Sequence, residues 1–411
     1  MAVSRTDASK AREIREIPVA KPVLDEREAE AARRPILSGW LAQGPEVEAF
    51  EREFAAAVGA RHACAVSSST TALHLALLAA SVGPGDQVVT VSHSHIATAN
   101  AIRYCGATPV FVDIEAEPTY NLDWRRVQGA LTRRTRAILC VHQMGMPCDL
   151  SRIVDIGRRH EIPVIEDAAC AVGSEVLWNG RFEGIGRPHG DVACFSFHRG
   201  NVITTGDGGM LTTARPEWDR KFRLLREHAA TVPETVRNGA RCVIFEAYAQ
   251  LGFHYGLTDI QAAVGREQLK RLPEIVGRRR AIAARYGQLL ARIQGLVTPV
   301  EPAFARSNWQ RYCVRLPEAC DQRRVIRHLM EAGISSRRGI TCAHREPAYA
   351  LEPWSCGSGP DRCACPDGRC RRLLESERAQ DRSIVLPLYS QMTDDDVDYV
   401  AGVLADAVAA C

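Results

Sequence analysis

Between residues 62 and 197, short apolar runs alternate with helical ones, and few architectures accept such an alternation. Val88–Val91, Pro109–Asp113, Ala137–His142, Val164–Asp167 and Ala193–Phe197 read as strands. Ala97–Tyr104, Trp124–Ala130 and Leu150–His160 read as helices between them. Strand–helix alternation predicts a layered α/β domain built on a mainly parallel sheet. Many unrelated activities share that architecture, so the site residues must decide function.

The flanking segments complete the outline. Residues 22–58 read as two helices, one across Arg27 to Ile36 and one from Pro45, broken at Ser38-Gly39-Trp40. The stretch from Cys64 to Leu77 reads as a short strand, a hydroxyl-rich turn (Ser67-Ser68-Ser69-Thr70) and an apolar helix. A turn feeding a helix N-terminus presents free N–H groups and hydroxyls to an anion, as in a phosphate cradle. A long helix from Asp259 to about Leu290 leads into strand-like Tyr312–Leu316, a helix near Arg323–Ala332, strand-like Ile384–Leu386 and a last helix from Asp394. This predicts two domains: residues 1–270, an N-terminal arm with the large domain, and residues 271–411, a smaller C-terminal α/β domain.

Composition removes some function classes. The chain has 411 residues and a net charge of +3 with both signs interspersed, which gives no electrostatic case for nucleic acid or an anionic membrane. No apolar run is long enough to span a bilayer, and the first twenty residues lack an apolar signal core, so a cytoplasmic location is expected. Of 52 basic residues only four are lysines: Lys10, Lys21, Lys221 and Lys270. Fifteen cysteines are present, and most, such as Cys105, Cys140 and Cys194, stand in apolar runs where buried free thiols are expected. Four cluster among glycines and prolines in the loop 354–370, as Cys356, Cys363, Cys365 and Cys370. Such a set can hold zinc or an iron–sulfur cluster, with Cys342 and His344 as further ligands, or it is a surface insertion with free or paired thiols.

Several ordered segments resemble the DegT/DnrJ/EryC1/StrS sugar aminotransferases. They are Ser38-Gly39-Trp40-Leu41, Gly83-Pro84-Gly85-Asp86, Ala97-Thr98-Ala99-Asn100, Pro109–Asp113, Glu166-Asp167-Ala168-Ala169, Phe195–Gly209, Leu257–Ala263 and Leu386-Pro387-Leu388-Tyr389. The resemblance implies the type I fold of pyridoxal phosphate (PLP) enzymes, an α/β fold with a large domain on a mainly parallel seven-stranded sheet. It also implies a homodimer with sites at the interface and a keto-sugar or cyclitol substrate.

Residue by residue, the resemblance makes Asp167 the partner of the pyridinium nitrogen. Ser196, Ser69 and Thr70 become phosphate ligands, and His95 the ring that stacks on the pyridine. Cys170 falls near the ring oxygen, and His254 in the loop Gly252-Phe253-His254-Tyr255-Gly256 that reaches the partner subunit's phosphate. The column of the tethering lysine falls on Asn201, and an amide neither forms that covalent bond nor shuttles protons as an amine does. Family members with histidine in that column use pyridoxamine phosphate (PMP) to remove a sugar hydroxyl. Here His198, three residues upstream, is the candidate base, and Arg199 a candidate for an anionic substrate group.

The sequence therefore predicts an aminotransferase-like enzyme that binds PLP or PMP non-covalently and acts on a nucleotide-linked keto- or amino-sugar or a cyclitol in specialised metabolism. The alternatives are a PMP-dependent sugar dehydratase, or an inactive homologue acting as partner or regulatory subunit, including in a heterodimer with a lysine-bearing homologue.

Overall fold

The computed structural model describes residues 15–116, 119–232, 243–357 and 369–411. Its central sheet holds seven strands: β1 (His62–Val66), β2 (Gln87–Val91), β3 (Thr108–Val112), β4 (Thr135–Val141), β5 (Val164–Asp167), β8 (Val192–Ser196) and β9 (Gly209–Thr213). Their order is β1-β9-β8-β5-β4-β2-β3. The β8–β5–β4–β2–β3 pairs are parallel, while β9 is antiparallel to both β8 and β1. Only β9 therefore runs backwards. Every residue of β2, β8 and β9 is buried, as expected of a sheet covered on both faces.

This polarity places the C-terminal ends of β1, β2, β5 and β8 along one edge. Ser67–Thr70, Ser92–His95, Asp167–Cys170 and Ser196–Asn201 all leave the sheet there, where ligands of open α/β sheets bind. The helix Ser69–Ala79 opens at this edge with Ser68 as its cap, and Ser68 and Thr71 satisfy each other's backbone amides.

A hairpin of β6 (Glu175–Trp178) and β7 (Arg181–Gly184), not expected from the sequence, joins Ala305–Arg306 in a separate small sheet. A third sheet, Tyr312–Arg315, Ser383–Leu386 and Arg337–Arg338, carries the C-terminal core with the helices Gln322–Glu331 and Asp394–Ala409. Ile17, from the N-terminal segment, is buried in that second core. The two cores are bridged by the 32-residue helix Asp259–Leu290, which is roughly 48 Å long.

That helix also organises the N-terminal region. Asp259 is buried, and its carboxylate accepts from the amides of Gly44 (2.8 Å), Val47 (3.0 Å) and Glu46 (3.2 Å). These belong to the cap and first turn of the helix Pro45–Val58, whose own cap, Gly44, has no side chain to offer. Asp259→Ala leaves three donors without an acceptor and is expected to destabilise the chain by about 2–4 kcal/mol, read as a lowered denaturant midpoint.

Candidate active site

The turn expected to cradle a phosphate is assembled around a glycine. Gly209 opens β9 and lies between two strand ends, in register with Val66 of β1 and Ser196 of β8. A Cβ at 209 would lie 2.4 Å from Ser68 O and 2.8 Å from Ser69 N, so only glycine lets the turn approach the sheet this closely. Ser68 Oγ caps the amide of Thr71, which leaves the first-turn amides of Ser69 and Thr70 pointing out of the helix. Ser196 is buried at the opposite arm, its Oγ accepting from His198 N at 3.3 Å. Two free amides, nearby hydroxyls and a helix N-terminus suit a phosphate.

Asp167 ends β5 in the middle of this edge and is only 6 % exposed. Thr98 Oγ1 donates to one carboxylate oxygen at 2.7 Å, and the Ala169 amide to the other at 3.2 Å. Burial nonetheless raises its pKa above the ordinary carboxylate value, against the opposing pull of Thr98, Ala169, His142 and His95. A buried carboxylate that its hydrogen bonds do not fully compensate fits a cationic N–H partner, which a protonated pyridine supplies. His95 is exposed at the cap of the helix Ile96–Tyr104, its Nδ1 accepting from Ala97 N at 3.3 Å.

Asn201 lies in the loop that returns from β8 to β9. Its Nδ2 donates to Ser196 O at 3.0 Å, and its Oδ1 accepts from Gln310 Nε2 at 3.3 Å. The same Gln310 nitrogen donates to Gly200 O at 3.0 Å. Both ends of the amide are thus engaged. His198 and Arg199 are exposed on this loop, and His198 Nδ1 accepts from Gly200 N at 3.3 Å. Cys170 follows Asp167 by three residues. Burial pushes its thiol up to about 11, and its carbonyl accepts from Asn308 Nδ2 at 2.8 Å.

The described lysines are placed elsewhere. Lys221 Nζ donates to Leu78 O at 2.6 Å, at the far end of the helix that starts at Ser69. Lys270 pairs with Glu267 at 2.7 Å on a helix surface, and Lys21 is exposed. Lys10 lies outside the described residues.

The cysteine-rich region departs from expectation. Cys342 and His344 are not spare ligands. Cys342 Sγ donates to Ser376 O at 3.2 Å. His344 uses both ring nitrogens, Nδ1 with Ser92 Oγ (2.6 Å) and Nε2 with Glu377 Oε1 (3.0 Å), inside the protein. Cys363 and Cys365 lie outside the described residues, and no three His, Cys, Asp or Glu side chains are gathered for a metal among the described ones. Cys105, Cys140 and Cys194 are buried free thiols as expected, but Cys320 and Cys411 form a disulfide that no spacing in the sequence announces.

Sequence reasoning also missed Thr98 and Gln310 as partners of Asp167 and Asn201. Thr98 stood inside a recognised segment, whereas nothing in the sequence singles out Gln310.

The raised pKa of Asp167 has a definite sign. Its folded value lies above the unfolded one, so ionisation lowers stability as pH rises through the carboxylate range. Asp167→Asn is therefore expected to leave the coenzyme-free protein at least as heat-stable at pH 7 as the unaltered chain, by calorimetry. It should weaken PLP or PMP binding by about tenfold or more.

Residues 22–405 match the model of the DegT/DnrJ/EryC1/StrS aminotransferase family. The chain is 37 % identical over 392 residues to the GDP-perosamine synthase of Caulobacter vibrioides, covering 94 % of this chain and 97 % of that protein. The aminotransferase TlmJ from Streptoalloteichus hindustanus is 34 % identical, with a TM-score of 0.83 over 96 % of this chain and 99 % of TlmJ. Spr1654 from Streptococcus pneumoniae, solved in PMP and PLP forms, is 25 % identical with a TM-score of 0.84, over 96 % of this chain and 98 % or 99 % of Spr1654. No described helix is long and apolar enough to cross a membrane. Fold, ordered segments and relatives agree: the chain belongs to the DegT/DnrJ/EryC1/StrS aminotransferase family and is an enzyme of the sugar-aminotransferase type.

Proposed function

We propose that this enzyme binds PLP or PMP without a covalent tether and acts on a nucleotide-linked keto- or amino-sugar, or a cyclitol, in specialised metabolism. One observation carries the reading. The side chain in the tether column is an amide, bonded at both ends to Ser196 O and Gln310 Nε2, and the described lysines are engaged or exposed elsewhere. The substrate class draws on the similarity to a GDP-perosamine synthase, an enzyme named for a nucleotide-linked sugar.

When bound, the coenzyme supplies the electron sink of the reaction. Asp167 would keep the ring nitrogen protonated, Ser69, Thr70 and Ser196 would hold the phosphate, and His95 would cover the ring. Cys170 would lie beside the coenzyme's ring oxygen. His198 is the proton-carrying group: its Nδ1 accepts from the Gly200 amide, which makes Nε2–H the donor, so it gives a proton as it stands and takes one only when that bond is released. Arg199 beside it suits an anionic part of the substrate. His254 serves the phosphate of a second copy in a homodimer. Phe245 and Leu251, 92 % and 93 % exposed near it, support a partnered surface there. We place the large domain at 1–270 and the small one at 271–411.

The test is the absorption spectrum of the purified protein before and after PLP or PMP, with intact mass after borohydride reduction. A retained coenzyme and no mass adduct are expected, whereas a covalent adduct on the unaltered chain would overturn the reading. Asn201→Lys should gain a borohydride-stable adduct at residue 201. Failure to bind either coenzyme would turn the assignment to the inactive partner subunit. With PMP bound, His198→Ala is expected to lower turnover of a nucleotide-linked sugar by at least about 100-fold.

A further inference from the structure

Two histidines 26 positions apart are brought side by side by a backbone ladder that also holds the Ser67 turn, whose amide donates to Tyr255 O at 2.8 Å. Phe253 N donates to Leu225 O (2.7 Å), His228 N to Phe253 O (2.9 Å) and Tyr255 N to Arg226 O (2.9 Å). Further along, Ala249 N donates to Ala229 O (3.1 Å) and Thr231 N to Ala247 O (2.8 Å). The ladder holds the His228 and His254 rings with centroids 5.2 Å apart and planes tilted by 30°. Both rings are exposed, and among the described residues neither is hydrogen-bonded to a carboxylate. Glu227, which lines the same cavity, is turned to Gln43, whose Nε2 donates to it, and lies 3.7 Å from Arg226 Nε. The rings flank a cavity of about 190 Å³ shared with Gln43, Arg226, Glu227 and Tyr248.

The backbone under the pair is strained. His228 and Ala229 both adopt left-handed conformations, at φ 58° and 59°, without being glycine. Gly252 passes so close that a Cβ there would lie 2.2 Å from Ala229 N and His228 C. Strain of this kind persists where the surroundings over-determine it, and it concentrates at ligand clamps.

We propose that His228 and His254 together clasp one phosphoryl group, which makes His228 a phosphate-binding residue beside His254. The inference deepens the coenzyme and substrate reading above and rests on it for the source of the phosphate. That source is the coenzyme held by a second copy or the diphosphate of a nucleotide-linked substrate. Two imidazoles bordering one cavity offer an anion two N–H donors.

Isothermal titration of the full-length protein decides it, with inorganic phosphate, PMP, pyridoxamine (which lacks the phosphate) and a nucleoside diphosphate as probes. His228→Asn suits the left-handed backbone, and His228→Gln serves as a second variant if the first melts early. Each substitution, like His254→Asn, is expected to weaken a phosphate-bearing probe by about tenfold while leaving pyridoxamine unchanged, and His228→Arg to recover part of the loss. Loss confined to PMP identifies the coenzyme as the source, and loss confined to the nucleoside diphosphate identifies the substrate. Unchanged affinity for every phosphate-bearing probe in correctly melting His228 variants, or loss only with His254→Asn, overturns the proposal. If the unaltered protein binds neither PLP nor PMP, the coenzyme reading has failed separately, and inorganic phosphate and the nucleoside diphosphate still decide the role of His228.

Discussion

The close passage of Gly209 beneath the Ser68–Ser69 turn is the constraint on which the site depends. Because β9 alone runs backwards, its first residue lies between the outgoing ends of β1 and β8. Both arms of the proposed phosphate cradle therefore hang from neighbours of one residue without a side chain. A methyl group there would push the turn off the sheet and separate Ser69 and Thr70 from Ser196. The cradle's width is set by backbone contact between strands, the least compressible kind of spacing a protein has.

Electrostatics then secure what the backbone positions. Burial works against the Glu51 carboxylate, yet Arg226 and Arg223 hold it below its ordinary range. Arg226 Nη1 reaches Glu51 at 2.5 Å and Ala65 O at 2.7 Å, which ties the end of the helix Pro216–Arg226 to β1. The chain leaves that anchor directly into the 225–231 segment, so the His228–His254 pair inherits its position from a buried ion pair. Asp167 is in the opposite situation: its neighbours do not offset its burial, as suits a group that awaits a ligand.

Much of this was legible in the sequence, for physical reasons. Strands buried on both faces read as unbroken apolar runs, and Trp124–Ala130 was placed without error. Asp167 and Ser196 stood at the ends of such runs, so their place at the sheet edge followed from polarity alone. The β6–β7 hairpin was missed although Asn179-Gly180, both at positive φ, is a strong hairpin signal; its strands are only four residues long and half-exposed, and β7 carries a single apolar side chain. Strand β9 was hidden behind glycines. Gln310, His228 and the Cys320–Cys411 pair were not legible, because each acquires its meaning from a partner about 26 or more positions away. His344 was misjudged because its spacing beside cysteines suggested metal, whereas Ser92 and Glu377 already occupy it.

The bond between Gln310 and Asn201 has a mechanical consequence. Gln310 stands two residues before the strand Tyr312–Arg315 of the C-terminal core, while Asn201 belongs to the loop of the large sheet. The Asn201 amide therefore fastens one half of the molecule to the other. Any motion that separates the C-terminal core from the large sheet at this point must first break this latch, so residue 201 couples the two mechanically.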